Sequence, residues 1–515
     1  MKPISLHPAS QIWPLWAGIA GLCFIAFISI FLTVDHIFEY VPHSEDEVAY
    51  LFQAKVLAEN RLTVPTPPQA HAFWSPFVID YQQQRFGKYP PGWPLLLSLG
   101  VRLGAPWLIN AGLATGTLAL IGLLGYLYYC ADETGGSRCL VPLLAVGLGV
   151  VTPGFLFLSS SLLSHAASLF WVTLALVALF QAVTAPRYRH VYSFGVGAAL
   201  GATFITRPFA ALGVGLAVGI FVIGLVLRRE LQVSMLLWIT LGGLLVSLLL
   251  PLFWWAAVGD PTFNAYLLVW PYDRVGFGPD IGPHGYTLQD AIFINTRLKL
   301  LALATGLFGW PGWTNLLFLP IPFLARQANR WDWLLLGTIG GLIFVHLFYW
   351  AFGGVDGGFP RYYYDALPAF LLLTARGIEQ CGQWLRRLAG IPPRQTIATG
   401  VLAGILLTLV AYNLFWHLPP LLAAQKGKYG ITPAPLQAVE QADISTPALI
   451  LVQDVDKWSD FAAPFAANSP MLDGPLVYAI DGGEDSSRSL RASFAGRSCY
   501  ELQGENVREC PPLAR

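Results

Sequence analysis

Residues 13–34 read WPLWAGIAGLCFIAFISIFLTV, and the acidic segment SEDE follows at residues 44–47. The first stretch contains no charged residue, and a helix over it would cross the roughly 30 Å hydrocarbon layer of a membrane. It is longer than the apolar part of a secretory signal, and it ends in Thr33-Val34-Asp35-His36 instead of a small-residue cleavage site. We therefore predict an uncleaved first membrane helix that brings the acidic segment to one surface of the membrane.

The composition indicates that most of the chain lies inside a membrane. Of its 515 residues, 55% are hydrophobic and only 12% are charged, whereas about a quarter of the residues of a soluble domain are charged. The 30 basic and 30 acidic residues balance, so no overall positive field attracts nucleic acid, and we expect no nucleic-acid partner. Six cysteines without a CxxC pair give no support for a cysteine-based zinc site.

Ten further apolar runs have the composition of membrane helices. Arg207-Pro208 separates two of them, and proline suits the first turn of a new helix because its missing N–H would have no partner there. The sequence therefore predicts an α-helical polytopic membrane protein of about eleven transmembrane helices, the ten further runs being 106–129, 140–160, 162–184, 191–206, 208–227, 233–257, 299–324, 333–352, 362–380 and 396–418.

The distribution of charge predicts the orientation of these helices, because short cytoplasmic loops retain Lys and Arg. With the amino terminus inside, the inner segments hold 12 basic and 5 acidic residues, and the outer segments hold the other 18 basic and 25 acidic residues. We therefore expect a cytoplasmic amino terminus and an extracytoplasmic carboxyl end. The inner loops are short and contain no Gly-rich phosphate-binding motif, which argues against an ATP-driven pump.

The long outer segments divide the chain into two predicted domains. A membrane domain covers 1–419 and includes outer loops 35–105 and 258–298; a small extracytoplasmic α/β domain covers 420–515. In the latter, strand-length apolar runs at 448–452, 476–480 and 498–502 alternate with helix-like stretches at 458–467 and 486–494. Cys499 and Cys510 lie at the two ends of a predicted hairpin, either as a disulfide or as two unpaired thiols.

Three motifs on the predicted outer face could carry chemistry, and the first is Ser44-Glu45-Asp46-Glu47. Ser44 with Glu47 three residues later fits a capping box, and the helix dipole favours acids in a first turn. A carboxylate beside a long outer loop could equally serve as a general base. The two roles are compatible, since a capped helix end is a rigid support for a base.

The second motif, Gly87-Lys88-Tyr89-Pro90-Pro91-Gly92, precedes a short apolar run over Leu95–Leu103. This mostly apolar run of nine residues is too short to span, so we predict a helix lying in the membrane interface. Lys88 then either extends towards lipid headgroups or contacts a lipid-linked phosphate.

The third motif runs from Gly353 to Pro368 and contains Arg361-Tyr362-Tyr363-Tyr364. Four glycines allow close approach of the backbone, while the arginine and tyrosines offer a fixed cation and hydroxyls for a phosphate and a sugar. The alternative is an aromatic belt with an arginine anchor, which does not require four glycines.

Taken in order, these three motifs resemble the GT-C superfamily of integral membrane glycosyltransferases, in particular the bacterial branch of protein O-mannosyltransferases and lipid A aminoarabinose transferases. The resemblance covers most of the membrane portion. It implies a polyprenyl-phosphate-linked sugar as donor and inversion at the anomeric carbon. It also implies roles for individual residues: catalysis by Asp46 with Glu47 beside it, donor-phosphate binding by Lys88, Arg361 and Tyr362, and substrate contacts by Tyr89, Tyr363 and His165.

The sequence departs from this family at two places. Several relatives have an acid at the start of the fourth span, where this chain has His165, which puts a second carboxylate or a metal there in doubt. The carboxyl-terminal domain lacks the tandem sugar-binding modules of eukaryotic O-mannosyltransferases, so a protein acceptor is not favoured. No cofactor is assigned; a divalent metal held by His43, His71 or His284 is the open alternative, but their spacing follows no pattern.

Two function classes follow. The first is an inverting hexosyl- or pentosyltransferase of the bacterial inner membrane that moves a sugar from a polyprenyl-phosphate donor to a lipid or glycan acceptor of the envelope, in contact with membrane lipid. The alternative is a transporter or flippase of a lipid-linked saccharide. Ionisable residues are nearly absent from the middle of the spans, whereas a proton-coupled carrier usually needs some there, so the transferase is favoured.

Overall fold

A computed structural model describes residues 9–130 and 140–512. Lys2, Asp132, Glu133 and Arg138, which contribute to the charge count, lie outside these ranges. The first half of the chain is built from helices α1 (Ala9–Thr33), α2 (Glu45–Ala58), α3 (Gly92–Arg102), α4 (Trp107–Tyr129), α5 (Val141–Val151), α6 (Pro153–Ser160), α7 (His165–Thr184), α8 (Arg189–Phe204), α9 (Pro208–Leu227), α10 (Ser234–Ser247) and α11 (Leu249–Val258).

The second half adds shorter helices and the central helix of the core. These are α12 (Ala265–Val269), α13 (Arg297–Gly306), α14 (Ile321–Leu324), α15 (Arg330–His346), α16 (Leu367–Ala389), α17 (Pro392–Tyr412), α18 (Leu418–Gln425), α19 (Ala434–Gln441), α20 (Trp458–Ala467) and α21 (Glu484–Ser493). Every residue from Leu367 to Ala375 in α16 is buried. The main hydrophobic core forms around this segment, with side chains from α1, α4, α5 and α7.

In the described part, six helical segments are long and apolar enough to cross a membrane, and α5 with α6 would make a seventh if this pair, bent by 63°, forms one span. The bend falls at Thr152-Pro153, where proline begins a new helix. Pro208 likewise begins α9, as predicted. The six segments are Trp13–Phe38, Trp107–Tyr129, His165–Thr184, Pro208–Leu227, Ser234–Val258 and Pro392–Gly430.

The prediction of one continuous helix over 299–324 is wrong. Helix α13 ends at Gly306, a 3₁₀ turn covers Gly312–Leu316, and α14 contains only four residues. Gly309 and Gly312 have positive φ angles of 65° and 52°, which an apolar helix cannot accommodate. The segment folds back on itself instead of spanning.

Helices α8 and α10 cross at unusually short range. A Cβ atom on Gly197 would lie 1.9 Å from the carbonyl oxygen of Ile239, and one on Gly242 would lie 2.2 Å from that of Phe194. Only glycine allows the two backbones to approach this closely, as is common between membrane helices.

The first outer loop is a compact structure rather than an extended connection. It contains α2 and an antiparallel sheet of order β1-β3-β2, and it ends at α3, the short helix predicted after the second motif. The strands are β1 (Val64–Pro65), β2 (Val78–Tyr81) and β3 (Gln84–Gly87). A further hairpin within the third motif consists of β4 (Val355–Asp356) and β5 (Phe359–Pro360).

The carboxyl-terminal part is an α/β layer with the predicted order of elements. Its sheet has the order β7-β6-β8-β9; β6 pairs in parallel with both β7 and β8, and β9 is antiparallel to β8. The strands are β6 (Ala448–Val452), β7 (Leu476–Ile480), β8 (Ser498–Gln503) and β9 (Asn506–Glu509). A disulfide joins Cys499 and Cys510 at the open end of the β8–β9 hairpin.

This α/β layer packs directly on the first outer loop. Val48 and Phe52 of α2 share a hydrophobic cluster with Ile450 of β6. Lys55, in the last turn of α2, donates hydrogen bonds to the carbonyl oxygens of Ala466 and, at 2.9 Å, Asn468 at the carboxyl end of α20. An ammonium group is favoured at this end of a helix because it satisfies the last carbonyls.

Candidate active site

Helix α2 presents three acidic residues at its amino end, and its cap separates Glu47 from the other two. The Ser44 hydroxyl accepts a hydrogen bond from the Glu47 N–H at 3.4 Å and donates to Glu47 Oε1 at 2.9 Å. Glu47 Oε2 accepts from the Leu162 N–H at 2.9 Å, and the side chain is buried. Glu47 thus fastens the start of α2 to the segment that precedes α7.

Asp46 is held by two side chains that come from the other two motifs. The Tyr89 hydroxyl donates to Asp46 Oδ1, and Arg361 Nη1 donates to Oδ2 at 3.2 Å. Both of its oxygens are thereby oriented by fixed donors. Glu45 lies beside it, and burial, reinforced by the charge of Asp46, raises the pKa of Glu45.

Lys88 occupies a cage of aromatic rings. Its backbone N–H is fixed by the Phe77 carbonyl at 2.8 Å, and its side chain is only 3% exposed. The Nζ atom lies 3.7 Å from the centre of the Phe77 ring, 4.5 Å from that of Trp270 and 4.9 Å from that of Tyr266. Ring faces attract a cation, but burial lowers the pKa of Lys88 to about 8 although nearby carboxylates oppose this effect.

The glycine-rich motif wraps around Arg361. Gly353 and Gly354 have φ angles of 82° and 81°, the left-handed region that favours glycine. Their carbonyls accept hydrogen bonds from the side chain and the backbone N–H of Arg361. A Cβ on Gly353 would also lie 2.5 Å from the Tyr362 ring. The glycines therefore place Arg361 against Asp46 and Tyr362 against His346, whose ring is 5.0 Å away.

A buried polar cluster supports this arrangement from behind. Arg207 Nη1 lies 2.7 Å from His165 Nε2; because arginine can only donate, this nitrogen accepts and His165 is neutral. Arg207 also contacts Asp365 at 3.5 Å and donates to the carbonyl oxygen of Arg361 at 3.4 Å. The sequence predicts no role for Arg207 or Asp365 in a transferase site: Arg207 stands out only beside the helix start at Pro208 and as an ionisable residue near the end of a span.

Two cavities of about 430 Å³ each meet at Asp46. Both are lined by Glu45, Asp46, Leu163 and Arg361. The first, here called the aromatic cavity, is also lined by Lys88, Tyr89, His165, Arg207, Tyr266, Trp270, Asp273 and Tyr362. The second, here called the domain cavity, is also lined by His43, Glu47, Lys428, Tyr429 and Trp458, and so reaches the carboxyl-terminal part of the chain.

Asp273, in the second outer loop, is a buried carboxylate in the aromatic cavity that the sequence did not reveal. One of its oxygens accepts hydrogen bonds from the Tyr349 hydroxyl at 2.9 Å and from Trp350 Nε1 at 3.0 Å. Its charge also acts on Lys88. No recognisable motif surrounds it, so its place in the site follows only from the packing of the second outer loop against residues 347–350, directly after α15.

The structure brings most of the predicted site residues together. Tyr363 is the exception, because its ring is buried beside His346 and lines neither cavity. Glu47 lines the domain cavity, but its carboxylate is engaged by Ser44 and Leu162. Six predicted residues line the aromatic cavity: Asp46, Lys88, Tyr89, His165, Arg361 and Tyr362.

A metal site finds no support among the side chains that the structure describes. Within 9–130 and 140–512, no group of three or more His, Cys, Asp or Glu side chains is placed to hold an ion. His43, one of the candidate ligands, instead bonds through Nδ1 to the Val41 carbonyl at 2.9 Å.

Solved structures of known proteins share the fold of this chain. No family model matches the chain, and no curated protein matches it. Among solved structures, ArnT from Cupriavidus metallidurans in the apo state matches with a TM-score of 0.57 at 15% identity, and the same protein bound to undecaprenyl phosphate matches with 0.55 at 13%. Each match covers 96% of this chain and 93% of ArnT. This chain therefore has the fold of ArnT over nearly its whole length.

Proposed function

We propose that the protein is an inverting glycosyltransferase that moves a sugar from a polyprenyl-phosphate donor to an envelope acceptor on the outer face of a bacterial inner membrane. The observation that carries this proposal is the position of Asp46 between two cavities, with Lys88 in one of them. Such an arrangement suits a reaction of two substrates that meet at one carboxylate. The ArnT structure with undecaprenyl phosphate supports a lipid-linked donor.

In the proposed reaction, the donor lies in the aromatic cavity with its phosphate at Lys88 and Arg361. Asp46 takes the proton of an acceptor hydroxyl as that oxygen attacks the anomeric carbon from the face opposite the phosphate. The bond from the anomeric carbon to the phosphate oxygen breaks, its electron pair stays on that oxygen, and polyprenyl phosphate leaves. The two cations stabilise the departing anion, so no strong general acid is needed.

The aromatic rings around Lys88 suit this task. They keep the ammonium group partly desolvated, and a buried cation interacts with a phosphate more strongly than one in water does. Tyr89 and Arg361 hold Asp46 in place while the acceptor arrives.

Binding of undecaprenyl phosphate, the part that the donor and the released product share, tests the proposal. We expect Lys88→Ala and Arg361→Ala to weaken binding of undecaprenyl phosphate to the purified protein by about tenfold or more, the scale of a charge-assisted hydrogen bond. Arg361→Lys should restore binding only partly if two N–H groups contact the phosphate. Arg488→Ala is the control, because Arg488 pairs with Asp485 on the protein surface. Parent-like binding by both alanine variants would place the phosphate elsewhere.

Turnover in detergent separates the enzyme from a flippase. A transporter moves its substrate between two membrane leaflets without cleaving it. In a detergent micelle, which has no leaflets, a transporter would therefore release no undecaprenyl phosphate. The proposed transferase should release undecaprenyl phosphate from at least one of a panel of hexose and pentose donors when an envelope extract is added. No release with any donor would contradict the transferase assignment.

A further inference from the structure

A third cavity, of about 460 Å³, lies in the carboxyl-terminal α/β layer at the ends of its parallel strands. In the sheet, β6 has β7 on one side and β8 on the other. The chain runs from β6 to β7 and then crosses back over β6 to form β8. The crevice between the carboxyl ends of β6 and β8 is therefore a topological switch point, where open α/β sheets bind their ligands. The cavity opens there, beside Val452 and Leu502.

The polar groups of this strand-end cavity fit a neutral ligand with many hydroxyls. Gln503 Nε2 donates to Asp454 Oδ2 at 2.8 Å, and Ser459 and Asp460 line the wall at the start of α20. Amide and carboxylate groups can accept from sugar hydroxyls, and the amide can also donate to them. The described residues that line the cavity include no lysine or arginine, so a phosphate or another anion would meet the carboxylates of Asp454 and Asp460 without a cation to balance them.

Two aromatic residues connect this cavity to the active site. Tyr429 and Trp458 line the domain cavity, and the residues that directly follow them, Gly430 and Ser459, line the strand-end cavity. The two rings are 5.9 Å apart, and Tyr429 is 58% exposed. Flat aromatic rings exposed in a polar groove are suited to stack on the apolar faces of sugar rings.

The backbone of Tyr429 strengthens this argument. Its φ angle is 61°, a left-handed conformation that is unfavourable for a bulky residue. Gly427 and Gly430 on either side also have positive φ angles. This conformation holds the Tyr429 ring exposed at the edge of the domain cavity, where a ligand that leaves the strand-end cavity would pass.

We propose that the acceptor is a neutral oligosaccharide that occupies the strand-end cavity, crosses Tyr429 and Trp458, and presents its terminal hydroxyl to Asp46 in the domain cavity. This inference rests on the proposed function and gives the acceptor its chemical class. It makes the carboxyl-terminal part an acceptor-binding element rather than a spacer.

Binding to the full-length protein in lipid nanodiscs tests the inference. The probes are neutral linear oligosaccharides of increasing length, built from glucose, mannose, galactose or N-acetylglucosamine. We expect binding of at least one series to strengthen with length. Asp454→Ala, Gln503→Ala and Trp458→Ala should each weaken that binding by roughly fivefold or more, which corresponds to the loss of one hydrogen bond or stacking contact. Asp485→Ala, at a fully exposed position of α21, is the matched control and should bind as the parent does.

Two outcomes would overturn the inference: the parent protein binds none of these oligosaccharides, or all three variants bind them as tightly as the parent does. Undecaprenyl phosphate is titrated against the same parent preparation. Failure of that titration would count against the proposed function, and it is measured independently of the saccharide result.

Discussion

Asp46 is oriented by one neutral and one cationic donor, and its proposed role as a base can be tested without disturbing them greatly. We expect Asp46→Asn to reduce donor turnover by about two orders of magnitude or more, because an amide keeps the size of the side chain but cannot take a proton. The rate of undecaprenyl phosphate release with acceptor present measures this. Near-normal turnover would contradict the role of Asp46, and Glu45→Gln would be the next variant, since Glu45 lines both cavities.

The aromatic cage of Lys88 predicts a pH dependence of donor binding. Because burial lowers the pKa of Lys88 to about 8, the free protein carries the ammonium charge below that pH and loses it above. Donor affinity should therefore fall as the pH rises through about 8. In Lys88→Arg the guanidinium stays charged over the whole range, so this fall should be absent. Titration of both proteins with undecaprenyl phosphate from pH about 7 to about 10 compares them, and identical pH profiles would contradict the prediction.

Single residues of the site differ in how far sequence can reveal them. Asp46, Lys88 and Arg361 each stand in a local pattern that indicates chemistry. All three consecutive acids line the domain cavity, but only Glu45 and Asp46 also line the aromatic cavity. Which of them reach it depends on the rotation of α2, and the distant Leu162 N–H helps to hold that rotation by bonding Glu47. Asp273 lies in no local pattern, so only tertiary packing brings it to Lys88.

Between elements, the glycine contact of α8 and α10 predicts a stability effect. We expect Gly197→Ala to lower stability by about 1–3 kcal/mol, the usual result of overpacking, because its Cβ would meet the backbone of α10. Gly195→Ala in the same helix is the control: its nearest neighbour would be the Ala178 side chain at 3.9 Å, and alanine favours a helix over glycine. Thermal unfolding in detergent compares the two. Equal unfolding temperatures would contradict the close crossing.

The predicted bounds of helices and strands agree with the structure where the hydrophobic pattern is clear. They disagree where a break in the chain depends on backbone conformation. The strands and helices of the carboxyl-terminal part follow apolar runs of different lengths, so their predicted bounds are close to those observed; helix α20 matches at both ends. The 299–324 run has the composition of a span. The helix breaks because Gly309 and Gly312 adopt positive φ angles, and hydrophobic composition does not predict backbone angles.

For the whole molecule, the distribution of charge predicts a cytoplasmic amino terminus and an extracytoplasmic carboxyl end. Ser445 is exposed in the carboxyl-terminal part, and a cysteine there should react with a membrane-impermeant maleimide once the outer membrane alone is opened. Arg394→Cys, at an exposed position predicted to be cytoplasmic, should react only after the inner membrane is opened as well. The reverse pattern would invert the topology and remove the active site from the outer face.

The change of composition near residue 419 predicts a boundary between two domains there. A change of composition does not reveal which surfaces pack together. Val48 of the first outer loop and Ile450 of the α/β layer belong to one hydrophobic cluster, although four hundred residues of mostly membrane-embedded chain separate them. This boundary stays a prediction.

The hydrogen bonds of Lys55 to the end of α20 have a consequence for protein engineering. The helix that carries Asp46 in its first turn carries Lys55 in its last turn, and the partners of this lysine are carbonyl oxygens of the α/β layer. A chimera that exchanges only residues after 419 with those of another protein of this fold would leave this lysine facing a foreign surface. We expect functional chimeras to require joint transfer of the first outer loop and the α/β layer, so the exchangeable module consists of two segments that are distant in sequence.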